Sequence, residues 1–321
     1  MTIGTHADQS VEDGRKDQLH TLEHQGLLYR GERELLAAAL PHLRAGVDAG
    51  DATFAVAGKA ETEALRDSLG RDAAAVQFMD PSELYKNPVR AMAAFTAVAR
   101  TLGSRPAWVL VADDWSNKPD VKEWMRYDSI VNLAFASRDF RGFCCYNAEN
   151  LTPEAIAMVR RTHPKMVESG SLRDNPDYMD PQSFVADLDR QPLPPSPHSA
   201  VSMQIRPTDL HTVRAFVTEQ AKRCGVAGDA LHNLLVAVTE VATNAIRHGG
   251  APVTLRAWPD DGLICEITDS GHWQPEELLT WTPPESALEA GFGLWGVGML
   301  CDTVRVRTGS KGTTVRLRTC A

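Results

Sequence analysis

Residues 240–250 read EVATNAIRHGG and close a longer run that begins at Ala230. Stepping about 100° per residue from Leu231 brings Leu234, Leu235, Val238, Val241, Ala242, Ala245 and Ile246 into one apolar stripe. The spacing predicts a helix over 230–247 whose stripe packs on a sheet. Glu240, Asn244 and His248 stand at i, i+4 and i+8, so a carboxylate and an amide lie one turn apart outside that stripe. Taken alone, E-x-x-x-N reads more readily as a solvated helix face than as a site.

Working outward, residues 253–258 and 263–268 alternate as strands, and the second ends in Asp269-Ser270-Gly271. There a carboxylate leaves the sheet beside a glycine that permits close backbone approach; by itself it is equally a turn. Gly291-Phe292-Gly293-Leu294-Trp295-Gly296-Val297-Gly298 opens a helix over 294–300 and offers free N–H groups to an anion. It is no Rossmann fingerprint, because no β-α-β unit surrounds it. Residues 303–307 and 313–318 alternate again, the latter entered through Gly312-Thr313-Thr314, and a further helix spans 210–224. Helices followed by mostly antiparallel strands predict an α+β sandwich.

These four elements, in this order, resemble the N, G1, G2 and G3 boxes of the GHKL ATPase superfamily. EVATNAIRHGG and GLWGVGMLCDTVRV (293–306) look most like the anti-sigma factor serine/threonine kinases. The resemblance implies a Bergerat-type ATP-binding sandwich with ATP and Mg2+ as cofactors. It assigns Asn244 to the Mg2+ ion and Asp269 to the adenine amino group. Gly271, Gly291 and Gly293 would let the backbone wrap the nucleotide, Thr313 would close the adenine side, and Glu240 would be the base acting on a substrate serine hydroxyl. Gly296 and Gly298 stand where the family usually carries a larger apolar residue and a basic one, which implies weaker phosphate contacts or a looser lid. The lid aromatics, Trp273 and Trp281, are read as local packing, and His248 as a helix-end residue.

The first half differs. Residues 52–57, 75–79, 108–112 and 142–146 read as buried strands, separated by helical periodicity over 32–49, 61–69, 88–102, 119–136 and 153–162. Such alternation predicts an α/β domain with a parallel sheet. Gly58-Lys59 lacks the other residues of a Walker motif, so a second NTPase is not expected. The run 24–56, the Trp115 segment, Tyr127-Asp128, CCYNAENLTPEAI and His163-Pro164 resemble the MEDS sensory domain. That resemblance implies a RecA-like sheet without its nucleotide loop, used to sense a small molecule. Pockets of open parallel sheets form at the carboxyl ends of strands, which makes Asp113, Asp114, Trp115, Tyr146 and Asn147 the sensor-pocket candidates. His20 and His24, at i and i+4 of a possible helix, could bind metal with Cys144 or Cys145, although a polar helix start is the default.

The boundaries follow: a mobile tail over 1–17, the MEDS-like domain over 18–189, a proline-rich linker over 190–203 around RQPLPPSPHSA, and the ATPase domain over 204–321. A formal net charge of -9 over 321 residues argues against nucleic acid, and no apolar run is long enough for a membrane. The six scattered cysteines read as reduced thiols in a cytoplasmic protein. The resemblances together imply a signal-responsive regulator that binds Mg-ATP and phosphorylates a STAS-type anti-sigma factor antagonist, controlling a sigma factor. They also imply homodimerisation through the ATPase domain. The rivals are a sensor histidine kinase, disfavoured because no histidine-bearing helix pair precedes the ATPase domain, and a non-catalytic ATP-dependent partner-binding module.

Overall fold

In a computed structural model of the chain, the described residues are 21–113, 120–271, 281, 293–309 and 312–320. The first half runs β1 (Glu23–Tyr29), α1 (Gly31–Ala49), β2 (Ala52–Ala57), α2 (Lys59–Leu69), a 3-10 turn (Gly70–Ala75), β3 (Val76–Met79), α3 (Pro81–Leu84), α4 (Pro88–Leu102) and β4 (Ala107–Ala112). It continues with α5 (Val121–Ala134), β5 (Phe140–Asn147), α6 (Pro153–Thr162), β6 (Lys165–Glu168), β7 (Ser171–Asp174) and α7 (Pro181–Asp189). The strands form one sheet in the order β3-β2-β4-β5-β1-β6-β7, parallel throughout except for β7. Helices cover both faces, which is why β2 and β4 read as continuous apolar runs. Leu35, Leu43, Leu65 and Phe143 pack under α1 and α2. Met92, Met125, Ile130 and Phe184 pack under α4 to α7. Side-chain caps at Asn87, Thr152 and Asp180, each followed by proline, start α4, α6 and α7.

Two local expectations change. His24 lies on β1, a central strand between β5 and β6, and not on a helix. The i, i+4 pairing with His20, which lies outside the described residues, therefore does not apply. The run QGLLY is too short and too enclosed for a helix, and period-two packing wins. The β6-β7 hairpin and α7 carry little sequence signal, since β7 is exposed along its length and α7 is short.

The second half runs β8 (Val201–Ile205), α8 (Leu210–Arg223), α9 (Gly228–His248), β9 (Val253–Pro259), β10 (Leu263–Asp269), α10 (Gly293–Leu300), β11 (Thr303–Gly309) and β12 (Gly312–Thr319). Its sheet is antiparallel in the order β11-β12-β10-β9-β8. Strand β8 starts inside the stretch read as linker, with Val201 paired to Ala257; its VSMQI does alternate, but over only five largely exposed residues that follow directly on the proline-rich run. The helices pack on one face of this sheet. On the other, Arg316 and Glu266 form a buried pair, and Arg316 Nη2 donates to the Pro194 carbonyl at 2.8 Å, tying the proline-rich segment to the sheet. No helix among the described residues is long and apolar enough to cross a membrane.

Candidate functional site

Helix α9 buries Leu234, Ala237, Val238, Val241, Ala242 and Ala245 against the antiparallel sheet. That burial leaves Glu240 and Asn244 half-buried along the flank, where Asn244 Nδ2 donates to Glu240 Oε1 at 3.3 Å. The amide oxygen is thereby turned away from the carboxylate. On β10, Cys265 and Ile267 face the helices, so period two aims Asp269 the same way. Thr313 stands directly across the ladder from Asp269. Asp269 Oδ1 accepts from Gly271 N–H at 2.7 Å and Thr313 Oγ1 donates to the Gly271 carbonyl at 2.9 Å. The other Asp269 oxygen makes no hydrogen bond among the described residues.

Glu240, Asn244, His248, Asp269, Gly293 and Thr313 line one cavity of about 260 Å³. The glycines shape it. A Cβ at Gly271 would lie 2.7 Å from Gly249 Cα, and one at Gly249 would lie 2.6 Å from Asp269 Cγ, so the ends of α9 and β10 meet only as bare backbone. Gly293 enters α10 with φ of 52°, in the left-handed region. Gly291 and Trp273 lie outside the described residues. A hard cation takes oxygen ligands and a carboxylate accepts from an amino group, so this donor set fits a magnesium nucleotide.

Gly298 has a different reason to be small. A Cβ there would lie 2.7 Å from Val89 Cγ2, on the first turn of α4 in the other half of the chain. Asn87 Nδ2 donates to the carbonyls of Gly298 and Cys301 at 3.1 and 2.9 Å, and the Arg90 guanidinium donates to Met299 O at 2.8 Å through Nε and 2.7 Å through Nη2. These bonds satisfy carbonyls that the end of α10 leaves without helical partners. Alongside, Arg126 on α5 pairs with Glu123 and Asp189, Arg307 on β11 reaches Asp189 at 3.1 Å, and Arg305 pairs with Asp120. Trp281 is buried in the core under α4 to α7, not locally packed.

In the first half, an apolar cavity of about 70 Å³ lies between the sheet and helices α4 and α5, where Ala107 and Gly142 are too small to fill the space beneath Phe95, Val98 and Leu102. It lies along β4 and β5 from their amino ends, at Ala107 and Phe140, and does not include Asp113 or Asn147. Of the sensor-pocket candidates, Asp114 and Trp115 lie outside the described residues, and Asp113 is half-buried just after β4. Asn147 Oδ1 accepts from Glu149 N–H in its own turn. Tyr146 is buried, and its hydroxyl donates to Asp128 at 2.8 Å.

That bond marks a cluster the sequence reading missed in part. His24, Asp128, Cys144 and His163 converge in the core, while Cys145 faces the opposite side of the sheet. Burial, then His163, pulls the His24 imidazole down to about 4, against the opposing pull of Asp128 and Asn132. Burial, then Asp128 and Cys145, pushes the Cys144 thiol up. Asp128 and His163 were visible only as parts of a family resemblance.

Two family models match the chain, one in each half. Residues 203–319 match the family model for the histidine kinase-like ATPase domain, and residues 23–164 match that of MEDS, the methanogen/methylotroph DcmR sensory domain. No curated protein matches the chain. One similar solved structure, of the RsbU and RsbW domains of Rv1364c from Mycobacterium tuberculosis, is 21% identical over 39% of this chain and 33% of that one, with a TM-score of 0.29. The chain thus spans about a third of that neighbour, too slight an overlap to carry anything about partners.

Proposed function

We propose that this chain, which joins a MEDS domain to a histidine kinase-like ATPase domain, is a signal-responsive anti-sigma regulatory factor. It binds Mg-ATP and phosphorylates a serine or threonine of a STAS-type anti-sigma antagonist, and so controls a sigma factor. The observation that carries the reading is the single cavity in which Glu240 and Asn244 face Asp269 and Thr313. ATP supplies the phosphoryl group when bound. The chain positions the reactants and manages charge, which is most of what phosphoryl transfer needs. Asn244 offers its amide oxygen to Mg2+, Asp269 accepts from the adenine amino group through its open oxygen, and Thr313 holds the Gly271 backbone against that side. Gly293, in the left-handed region, shapes the backbone that enters α10 beside the nucleotide. Glu240 takes the proton of the attacking hydroxyl.

Two helices support control by the sensory half. Helix α4 grips α10 through Asn87 and Arg90 at one end and lines the apolar cavity with Phe95, Val98 and Leu102 at the other. Helix α5 carries Glu123, which reaches Arg307 of β11 at 3.7 Å, and Tyr127, Asp128 and Val131 at the cavity. A small molecule that repacks the cavity would shift both helices and, through them, α10.

The test incubates the full chain with γ-labelled ATP, Mg2+ and purified STAS-domain proteins. The expected result is acid-stable phosphate on serine or threonine of the partner. Label on a histidine of the chain itself would make it a sensor histidine kinase, and nucleotide binding with no transfer would make it a partner-binding module; either overturns the proposal.

A further inference from the structure

We propose that His24, Asp128, Cys144 and His163 form a binding site for a zinc-type divalent transition-metal ion inside the MEDS domain. The site stands whether or not the other domain transfers phosphate. Its four donors come from β1, α5, β5 and the residue that ends α6. His24 Nε2 lies 3.4 Å from Cys144 Sγ and 3.7 Å from Asp128 Oδ1, and His163 Nε2 lies 3.5 Å from Asp128 Oδ2. All four donor atoms fall within 4.8 Å of one another. A tetrahedral ion with bonds of about 2.0–2.3 Å separates its donors by roughly 3.3–3.8 Å; the two gaps from His24 Nε2 already match this, His163 reaches the other carboxylate oxygen, and a small contraction of a group within 4.8 Å completes the shell.

The hydrogen bonds that would orient these ligands are also present. His24 Nδ1 bonds to Asn132 Oδ1 at 3.1 Å, and His163 Nδ1 bonds to the Val159 carbonyl at 2.8 Å. Both acceptors are carbonyl oxygens, so each Nδ1 carries the proton and each Nε2 presents a lone pair to the cluster. Asp128 Oδ2 accepts from Tyr146 Oη at 2.8 Å and Thr162 Oγ1 at 2.9 Å, which orients the carboxylate. His163 is 0% exposed, yet its Nε2 has no hydrogen-bond partner among the described residues. A buried lone pair aimed at a carboxylate and a second imidazole is costly unless something positive sits between them.

The backbone makes room for this convergence. A Cβ at Gly26 would lie 2.7 Å from Met166 Sδ and 2.9 Å from His163 Cγ, so only glycine lets the His163 ring pack against β1 there. The apolar cavity opens onto His24, Asp128 and Cys144, which supplies a path inward. Two neutral imidazoles, a thiolate and a carboxylate suit Zn2+ over Mg2+ or Ca2+, which take oxygen. On binding, the Cys144 thiol gives its proton to solvent, and thiolate and carboxylate together balance the divalent charge.

The test uses the full chain, stripped with chelator and titrated with Co2+ as a spectroscopic probe and with Zn2+ by calorimetry. A single Zn2+ should bind per chain. Co2+ should give tetrahedral d–d bands and a thiolate charge-transfer band that Zn2+ bleaches. Cys144→Ser should lose the charge-transfer band, whereas Cys145→Ser, on the far face of the sheet, should keep it. Asn132→Ala, which only orients His24, should keep the band and weaken affinity about 10–100-fold. It serves as the deciding variant if Cys144→Ser does not fold. A stripped chain that takes up neither ion, a band that survives in folded Cys144→Ser, or an unchanged affinity in Asn132→Ala would reduce the cluster to a hydrogen-bond network and overturn the proposal.

Discussion

The two polar clusters of this chain are built in opposite ways. Glu240 and Asn244 are one helical turn apart on the flank of α9, and Asp269 and Thr313 are cross-strand neighbours on an antiparallel pair. The buried quartet of His24, Asp128, Cys144 and His163 draws on four separate elements of a sheet covered on both faces. The first site leaves Glu240, Asn244 and Asp269 half-buried and reachable, with Thr313 buried beneath them. The second is paid for in desolvation, since all four are at most 9% exposed. A surface constellation tolerates substitution of its members; a buried one is tied to stability.

The largest expected effect tests that contrast at the exposed site. Glu240→Ala should lower phosphoryl transfer by about 10²–10⁴-fold, the usual range for a general base, while nucleotide affinity and melting temperature hold. Asn244→Ala should instead lose Mg-dependent nucleotide binding, read by calorimetry with and without Mg2+. Equal loss of binding in both variants would make Glu240 a positioning partner of Asn244 and not a base.

A second prediction concerns acid. His42 is buried against Trp108 and Phe143; burial, with Arg141 adding to it, pulls its imidazole from 6.5 down to about 4, although the Val109 backbone opposes. Between those values the unfolded chain binds a proton that the folded chain refuses, so stability present above pH 6.5 is lost as pH falls toward 4. The expected loss approaches about 3 kcal/mol at the lower end. His198, His211, His232 and His248 in the other half are exposed. Urea unfolding followed against pH should show the first half weakening, and His42→Gln should remove its share of the slope and leave that of His24; an unchanged slope would assign it to other groups.

Gly298→Val probes the join between the two halves. A Cβ at that position meets the stiff Val89 side chain at 2.7 Å, and such overpacking costs about 1–3 kcal/mol. The docked arrangement should loosen, with faster proteolysis across residues 190–200 and little change in far-UV circular dichroism. Unchanged proteolysis would mean that α10 does not need α4.

How much of this was legible follows from the same contrast. The helix 230–247, its polar line and the strands that end in Asp269 and begin at Thr313 were readable because their periodicity survives on elements with one wet side. The parallel strands were readable as apolar runs, but not their order or their register, because a strand buried on both faces has no phase. His24 was noticed with the wrong geometry, and Asp128 and His163 only through family resemblance, since no spacing rule links β1, α5, β5 and α6. Gly298 looked like a departure from the usual phosphate-binding helix; its neighbour, Val89, is 209 positions away in the chain, as far as Arg90 is from Met299.

The smallest expected effect separates local from long-range roles at one residue. Asn87 accepts from Arg90 N–H at 2.7 Å as the cap of α4, and donates to the Gly298 and Cys301 carbonyls at the end of α10. Serine caps a helix about as well as asparagine but is too short to reach α10. Asn87→Ser should therefore spare α4 and cost the docked state about 1 kcal/mol, a net loss typical of a neutral hydrogen bond. Amide exchange should rise about fivefold in α10 and stay unchanged in α4. Equal acceleration in both helices would show that serine fails as a cap. No acceleration in α10 would show that its carbonyls are held by their own domain, and control through α4 would lose its physical link.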